Sequence, residues 1–198
     1  AGRAGMAETL RLYGRRLAGQ GFPDNPFAHL KPTYEYAGLS ELKADLADAV
    51  RRIQRDGLPG ALTPCVVGFI GDGNVSRGAQ EVFDVLPHRM VMPGELATLG
   101  PDRHGLIKTV FREADTVEPI DPAGTFDLQD YYTRGAAAYR SRFGRYLPHL
   151  TMLVNGILWT DKYPRLVTRE AMAEYWRRQG GRVKLTIVGD VSCDIGGG

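Results

Sequence analysis

Gly71-Asp72-Gly73-Asn74-Val75-Ser76 contains the residue types that hold a diphosphate. An apolar run, Val66–Ile70, leads into the two glycines, and Val75, Ala79, Val82, Phe83 and Leu86 follow at helical spacing. Strand, glycine turn and helix in that order aim the first free amides of a helix at an anion. One glycine permits the turn, and the second lets the backbone approach the phosphates. Gly71, Gly73, Asn74, Val75 and Ser76 are therefore candidate contacts. Ser76 stands where a third glycine is usual, and the small residues Gly78 and Ala79 follow it. A plain strand–turn–helix corner is the competing account of this pattern.

Two more loops offer polar groups. Asn155-Gly156 ends the apolar run Thr151–Val154, and Asp190 and Asp194 sit in a glycine-rich stretch after Val183–Val188. In open α/β sheets, ligands bind beyond the carboxyl ends of the strands, so these loops converge with the first. Asn155-Gly156 is equally readable as a simple turn. Asp190 and Asp194 are equally readable as caps for local N–H groups. The residue that selects between dinucleotides is usually at the tip of the second strand, about 20 residues past the first glycine. Met92 falls there instead of an acid, with His88 and Arg89 near enough to meet a 2′-phosphate. This favours NADP(H), with NAD(H) left open.

The elements that must position these loops alternate between helix and strand. Met6, Leu10, Tyr13 and Leu17 predict a helix over 5–18. Ser40 is placed to cap a second helix running to about Asp56, which Gly57 and Pro59 end. Strands are expected at 65–70, 89–92, 106–111, 116–120, 151–154 and 183–188, and helices at 74–86 and 127–142. A further helix follows Thr168 as cap and closes at Gly180-Gly181. The tyrosines around 131–139 read as packing anchors rather than ligand-stacking groups. The pattern predicts an α/β, Rossmann-like, doubly wound parallel sheet. Residues 1–60 would form a joining helix, a loop and a second helix leading into a nucleotide-binding domain over 61–198, the whole being one structural unit.

Composition narrows the partners. The chain has 198 residues, 43% hydrophobic and 24% charged, as in ordinary globular proteins. Its 25 basic and 23 acidic residues leave a net charge of +2, which gives no reason to expect nucleic acid or a membrane surface. Cys65 and Cys193 fall at opposite ends of parallel strands and should not pair, so a reducing cytoplasm is the default expectation. The four histidines show no metal-ligand spacing. The start at Ala1-Gly2-Arg3 and the stop at Gly196-Gly197-Gly198 suggest a domain excised from a longer, two-domain polypeptide.

Three motifs resemble a known family. Gly71-Asp72-Gly73-Asn74-Val75-Ser76-Arg77-Gly78-Ala79-Gln80-Glu81 with Leu86-Pro87 is similar to the cofactor segment of lysine–ketoglutarate reductase, the relative of saccharopine dehydrogenase. Leu153–Trp159 with Tyr163–Thr168, and Gly189–Gly197, are similar as well. The opening Ala1–Met6 resembles the inter-domain helix of the wider alanine dehydrogenase and transhydrogenase group. The resemblance implies a reductase that condenses lysine with 2-oxoglutarate and reduces the imine with NADPH, or runs the reverse reaction. This chain would be its cofactor domain, and the acid–base residues would belong to a preceding substrate domain. It implies for Asp194 a place at the nicotinamide end, the one catalytic candidate here. A non-catalytic nucleotide-binding module and an alanine- or ornithine-type dehydrogenase remain open, as do the amino-acid substrate and a homo-oligomeric state. Two departures stand out: Met92 replaces an expected acid, and Asp72 puts a negative charge beside the phosphate loop.

Overall fold

The computed structural model describes residues 1–191. Five parallel strands form its main sheet: β1 (Val66–Ile70), β2 (His88–Met90), β3 (Leu106–Phe111), β6 (Met152–Asn155) and β7 (Ile187–Asp190). Their order is β2-β3-β1-β6-β7. A separate antiparallel pair, β4 (Val117–Pro119) and β5 (Tyr139–Ser141), lies in the excursion between β3 and β6. This is the Rossmann-like α/β sheet expected, in a strand order that the sequence left open. The second strand does not lie beside the first, because β3 lies between them.

All five residues of β1 are buried, as a central strand covered on both faces requires. Alternate side chains serve different cores. Val67 and Phe69 join α1 (Gly2–Gly19), α2 (Leu39–Asp56) and α3 (Asn74–Phe83) on one face. Val66 and Ile70 join Phe111, Phe143, Tyr146 and Tyr175 on the other. Tyr175 belongs to α6 (Arg169–Arg178). A fully buried Phe or Leu contributes about 1.5–3 kcal/mol, so each face is held by many such terms.

Local chemistry sets the ends of these elements. Thr168 caps α6 as expected, its hydroxyl accepting from the Ala171 N–H at 3.1 Å. Ser40 does not cap α2. The helix begins after Gly38, and the Glu41 carboxylate accepts from the Ala37 N–H at 2.8 Å. The helix expected over 127–142 is divided. Asp127 caps α5 (Leu128–Arg134), accepting from the Asp130 N–H at 2.7 Å. Gly135, at φ +51°, then turns the chain out of the helix and into β5. The last strand runs over 187–190 rather than 183–188, because the Leu185 region packs into the second core before pairing begins. Among the described residues, no helix is long and apolar enough to cross a membrane.

α1 lies against α3 and β7. The approach is too close for side chains: a Cβ on Gly2 would lie 1.9 Å from the Val75 carbonyl oxygen. A Cβ on Gly189 would lie 2.1 Å from the Thr9 hydroxyl oxygen. α1 thereby braces both α3 and the strand that carries Asp190.

Candidate functional site

β1 and β6 are neighbours, yet the helices that follow them go to opposite faces of the sheet. α3 lies on one core and α6 on the other. Chain leaving adjacent strands in opposite directions opens a crevice at their carboxyl ends, where ligands of such sheets bind. The glycine turn, the Asn155 loop and Asp190 all lie on that edge, as the sequence pattern required.

Gly71 has φ +88°, a conformation that suits glycine, and its N–H donates to the Phe111 carbonyl at 2.9 Å. A Cβ there would meet Ile157 Cγ2 at 2.5 Å. Gly73 is the N-cap of α3 in extended backbone, and no side chain caps this helix. Among the described residues, its first amides, on Asn74, Val75 and Ser76, therefore have no intrahelical or side-chain partner. A Cβ on Gly73 would meet nothing within 4 Å. An uncapped helix start beneath an open glycine fits a dinucleotide pyrophosphate, whose charge the helix dipole also favours.

Ser76 explains the missing third glycine. Its side chain is buried, and its hydroxyl accepts from Gln80 Nε2 at 3.1 Å. The close approach has moved to the partner loop, where a Cβ on Gly156 would lie 3.0 Å from the Ser76 backbone. Asp72 is exposed and paired with Arg77 at 3.3 Å, so its charge is offset at the surface rather than aimed at the phosphate loop.

On the other side of the crevice, the buried Asn155 donates from Nδ2 to Asp190 Oδ1 at 3.1 Å. The Asn155 carbonyl accepts from the Val191 N–H at 3.0 Å. The two residues thus form one polar unit across β6 and β7. Asp194 lies outside the described residues.

Arg89 and Met92 are placed elsewhere. β2 is an edge strand of the sheet, two strand spacings or roughly 10 Å from β1. Arg89 is paired with Asp102 at 3.4 Å, and Met92 is 65% exposed. On that side the strand beside β1 is β3, which ends at Phe111 and is followed by Arg112-Glu113. A cleft of about 370 Å³ joins the glycine turn to Arg112, Glu113, Tyr131, Tyr132 and the Gly156–Trp159 segment. Tyr132 donates from its hydroxyl to Glu113 Oε1 at 2.7 Å, and that carboxylate pushes the phenol up to about 12. Tyr131 is buried and packs on Tyr139 and Tyr163, the anchoring role expected of these rings, while also lining the cleft. Sequence reasoning missed Arg112 and Glu113. The motif fixes the chain distance to the second strand, not which strand stands next to the first.

Cys65 is a buried thiol, raised to about 11 by burial, with the Tyr13 hydroxyl 3.8 Å away. It sits at the start of β1, far from the crevice. Among the described residues, no group of His, Cys, Asp and Glu could hold a metal ion.

No family model matches the chain. Curated proteins do. The whole chain aligns over 212 positions with alpha-aminoadipic semialdehyde synthase of Arabidopsis thaliana at 34% identity. It aligns with the mitochondrial alpha-aminoadipic semialdehyde synthases of Mus musculus, at 34%, and Bos taurus, at 31%. The chain spans 19% of the plant protein and 22% of each of these mammalian proteins, about a fifth of their lengths. The mammalian relatives are named mitochondrial, whereas cysteine usage pointed to a reducing cytoplasm. The chain is thus similar over its whole length to one part of these synthases, in line with the motifs that resemble lysine–ketoglutarate reductase and saccharopine dehydrogenase.

Proposed function

We propose that this chain is the dinucleotide-binding part of an amino-acid reductase that forms saccharopine from lysine and 2-oxoglutarate, or cleaves it. The observation that carries the reading is the uncapped start of α3 under the open Gly73, at the crevice between β1 and β6. The amides of Asn74, Val75 and Ser76 would hold the pyrophosphate, and Gly71 and Gly156 would keep the loops close enough to enclose it. The Asn155–Asp190 unit would orient the nicotinamide amide at the other end. When bound, the nicotinamide ring supplies hydride chemistry; the protein supplies position and field.

For Asp194 the family resemblance alone supports a catalytic role, that of a carboxylate steadying positive charge on the imine of the two substrates. The groups that move protons would come from a substrate domain elsewhere in the polypeptide, in keeping with the fifth of the relatives' length that this chain spans. The expected coenzyme is NADP(H).

A coupled assay of the full-length polypeptide, substrate domain included, with lysine, 2-oxoglutarate and NADPH tests this. The expected result is substrate-dependent oxidation of NADPH with saccharopine as product. Binding of the dinucleotide without turnover on any amino or oxo acid would favour a non-catalytic module. Turnover with pyruvate and ammonia in place of these substrates would favour an alanine-type dehydrogenase.

A further inference from the structure

We propose that Arg112, at the tip of β3, reads the 2′-phosphate of the coenzyme's adenosine and so selects NADP(H) over NAD(H). The inference rests on the dinucleotide reading above and assigns a specificity to that site. It begins from strand order. A dinucleotide that lies with its pyrophosphate over the tip of β1 places its adenosine ribose over the neighbouring strand on the side away from the nicotinamide. Here Asn155 and Asp190 mark the nicotinamide side, on β6 and β7. The opposite neighbour of β1 is β3, in register from Val66 with Ile107 to Ile70 with Phe111. Residues 112 and 113 are thus the first beyond the strand on that side, and both line the cleft that contains Gly71 and Gly73.

The two side chains differ in what they have left to offer. Glu113 already accepts the Tyr132 hydroxyl at 2.7 Å. Asp72, the other acid in the cleft, is paired with Arg77. Among the described residues, the Arg112 guanidinium has no hydrogen bond or ion pair; only its backbone is engaged. Its N–H donates to Asp115 Oδ2 at 2.9 Å and its carbonyl accepts from the Asp115 N–H at 2.9 Å, which fixes the turn from which the side chain projects. An exposed arginine on a fixed backbone, beside a cleft whose acids are engaged, is suited to a phosphate dianion, which a guanidinium can meet with two hydrogen bonds. Arg89 cannot take this part from the far side of β3, and its charge is already offset by Asp102.

The test measures Kd for NADPH and NADH by fluorescence titration on the parent protein and on Arg112→Ala, Arg112→Lys and Arg89→Ala, with melting curves to verify folding. The parent is expected to prefer NADPH. Arg112→Ala should weaken NADPH about ten- to a hundredfold, the loss of one or two charge-assisted contacts, and leave NADH within about twofold. It should also flatten the salt dependence of NADPH binding, while Arg112→Lys restores part of the preference. Arg89→Ala should change neither coenzyme. A parent that prefers NADH, an equal loss of both coenzymes in Arg112→Ala, or a lost preference in Arg89→Ala would overturn the assignment while leaving a dinucleotide site in place. A parent that binds neither coenzyme at millimolar concentration would overturn the site itself, and the assignment with it.

Discussion

Replacing Gly73 with valine separates a phosphate site from a structural turn. The backbone at Gly73 is extended, with φ −79° and ψ −179°, so an L-residue adopts it without strain. A Cβ built there has no atom within 4 Å, so the fold has room for it. The expected cost to stability is about 0.5–1 kcal/mol, the difference between glycine and a poor N-cap residue. Binding should suffer far more. The branched side chain would stand in front of the Asn74–Ser76 amides, where the pyrophosphate must come. Losing two charge-assisted hydrogen bonds, at about 1.5–3 kcal/mol each, corresponds to at least a hundredfold rise in Kd. Calorimetric titration with NADPH, together with thermal melts of parent and Gly73→Val, measures both quantities. A variant that melts near the parent and binds NADPH equally well would refute the reasoning, because the phosphate would then have to lie elsewhere.

Gly156→Ala should act in the opposite sense, on the fold first: its Cβ would crowd the Ser76 backbone at 3.0 Å, and urea unfolding should show a loss of about 1–3 kcal/mol. Asp194→Ala in the complete enzyme is expected to lower kcat by two to three orders of magnitude, about 2–4 kcal/mol, with little change in NADPH affinity; equal falls in both, or none, would assign Asp194 to loop structure alone. His149 also gives a pH signature. Burial, with the Lys184 charge adding to it, lowers its folded pKa below the usual 6.5, so the unfolded chain binds the proton more readily. Its contribution to stability is therefore complete above about pH 6.5 and is lost as the pH falls toward the lowered value. Chemical denaturation at several pH values should show His149→Gln losing less stability on acidification than the parent, and parallel profiles would remove His149 from this role.

The site's loops were legible in the sequence because each rests on local chemistry. A buried apolar run, glycines that a tight turn demands and a helix period identified β1, the glycine turn and α3 from adjacent residues. Thr168 and the Gly180-Gly181 pair fixed α6 in the same way, through a hydroxyl cap and two glycines of positive φ. Asn155 and Asp190 could be placed on one edge because parallel strands bring their carboxyl ends together. Local signals failed at several element ends. α2 starts after Gly38 with no side-chain cap, so Ser40 falls inside its first turn, and Gly135 broke a helix so that Tyr139 could enter the second core. The role of the third glycine passed to Gly156, some eighty residues from Ser76, because two loops that meet need only one of them to be bare. Strand order was the largest omission. Hydrophobic runs say that a segment is a buried strand, but they are the same whichever neighbour it takes. Only the packed sheet decided that β3, not β2, lies beside β1, which is the ground for proposing Arg112 in place of Arg89 and Met92. Which strands become neighbours depends on how the helices and the long β3–β6 excursion cover both faces at once, an energy shared over the whole core and not written in any one segment.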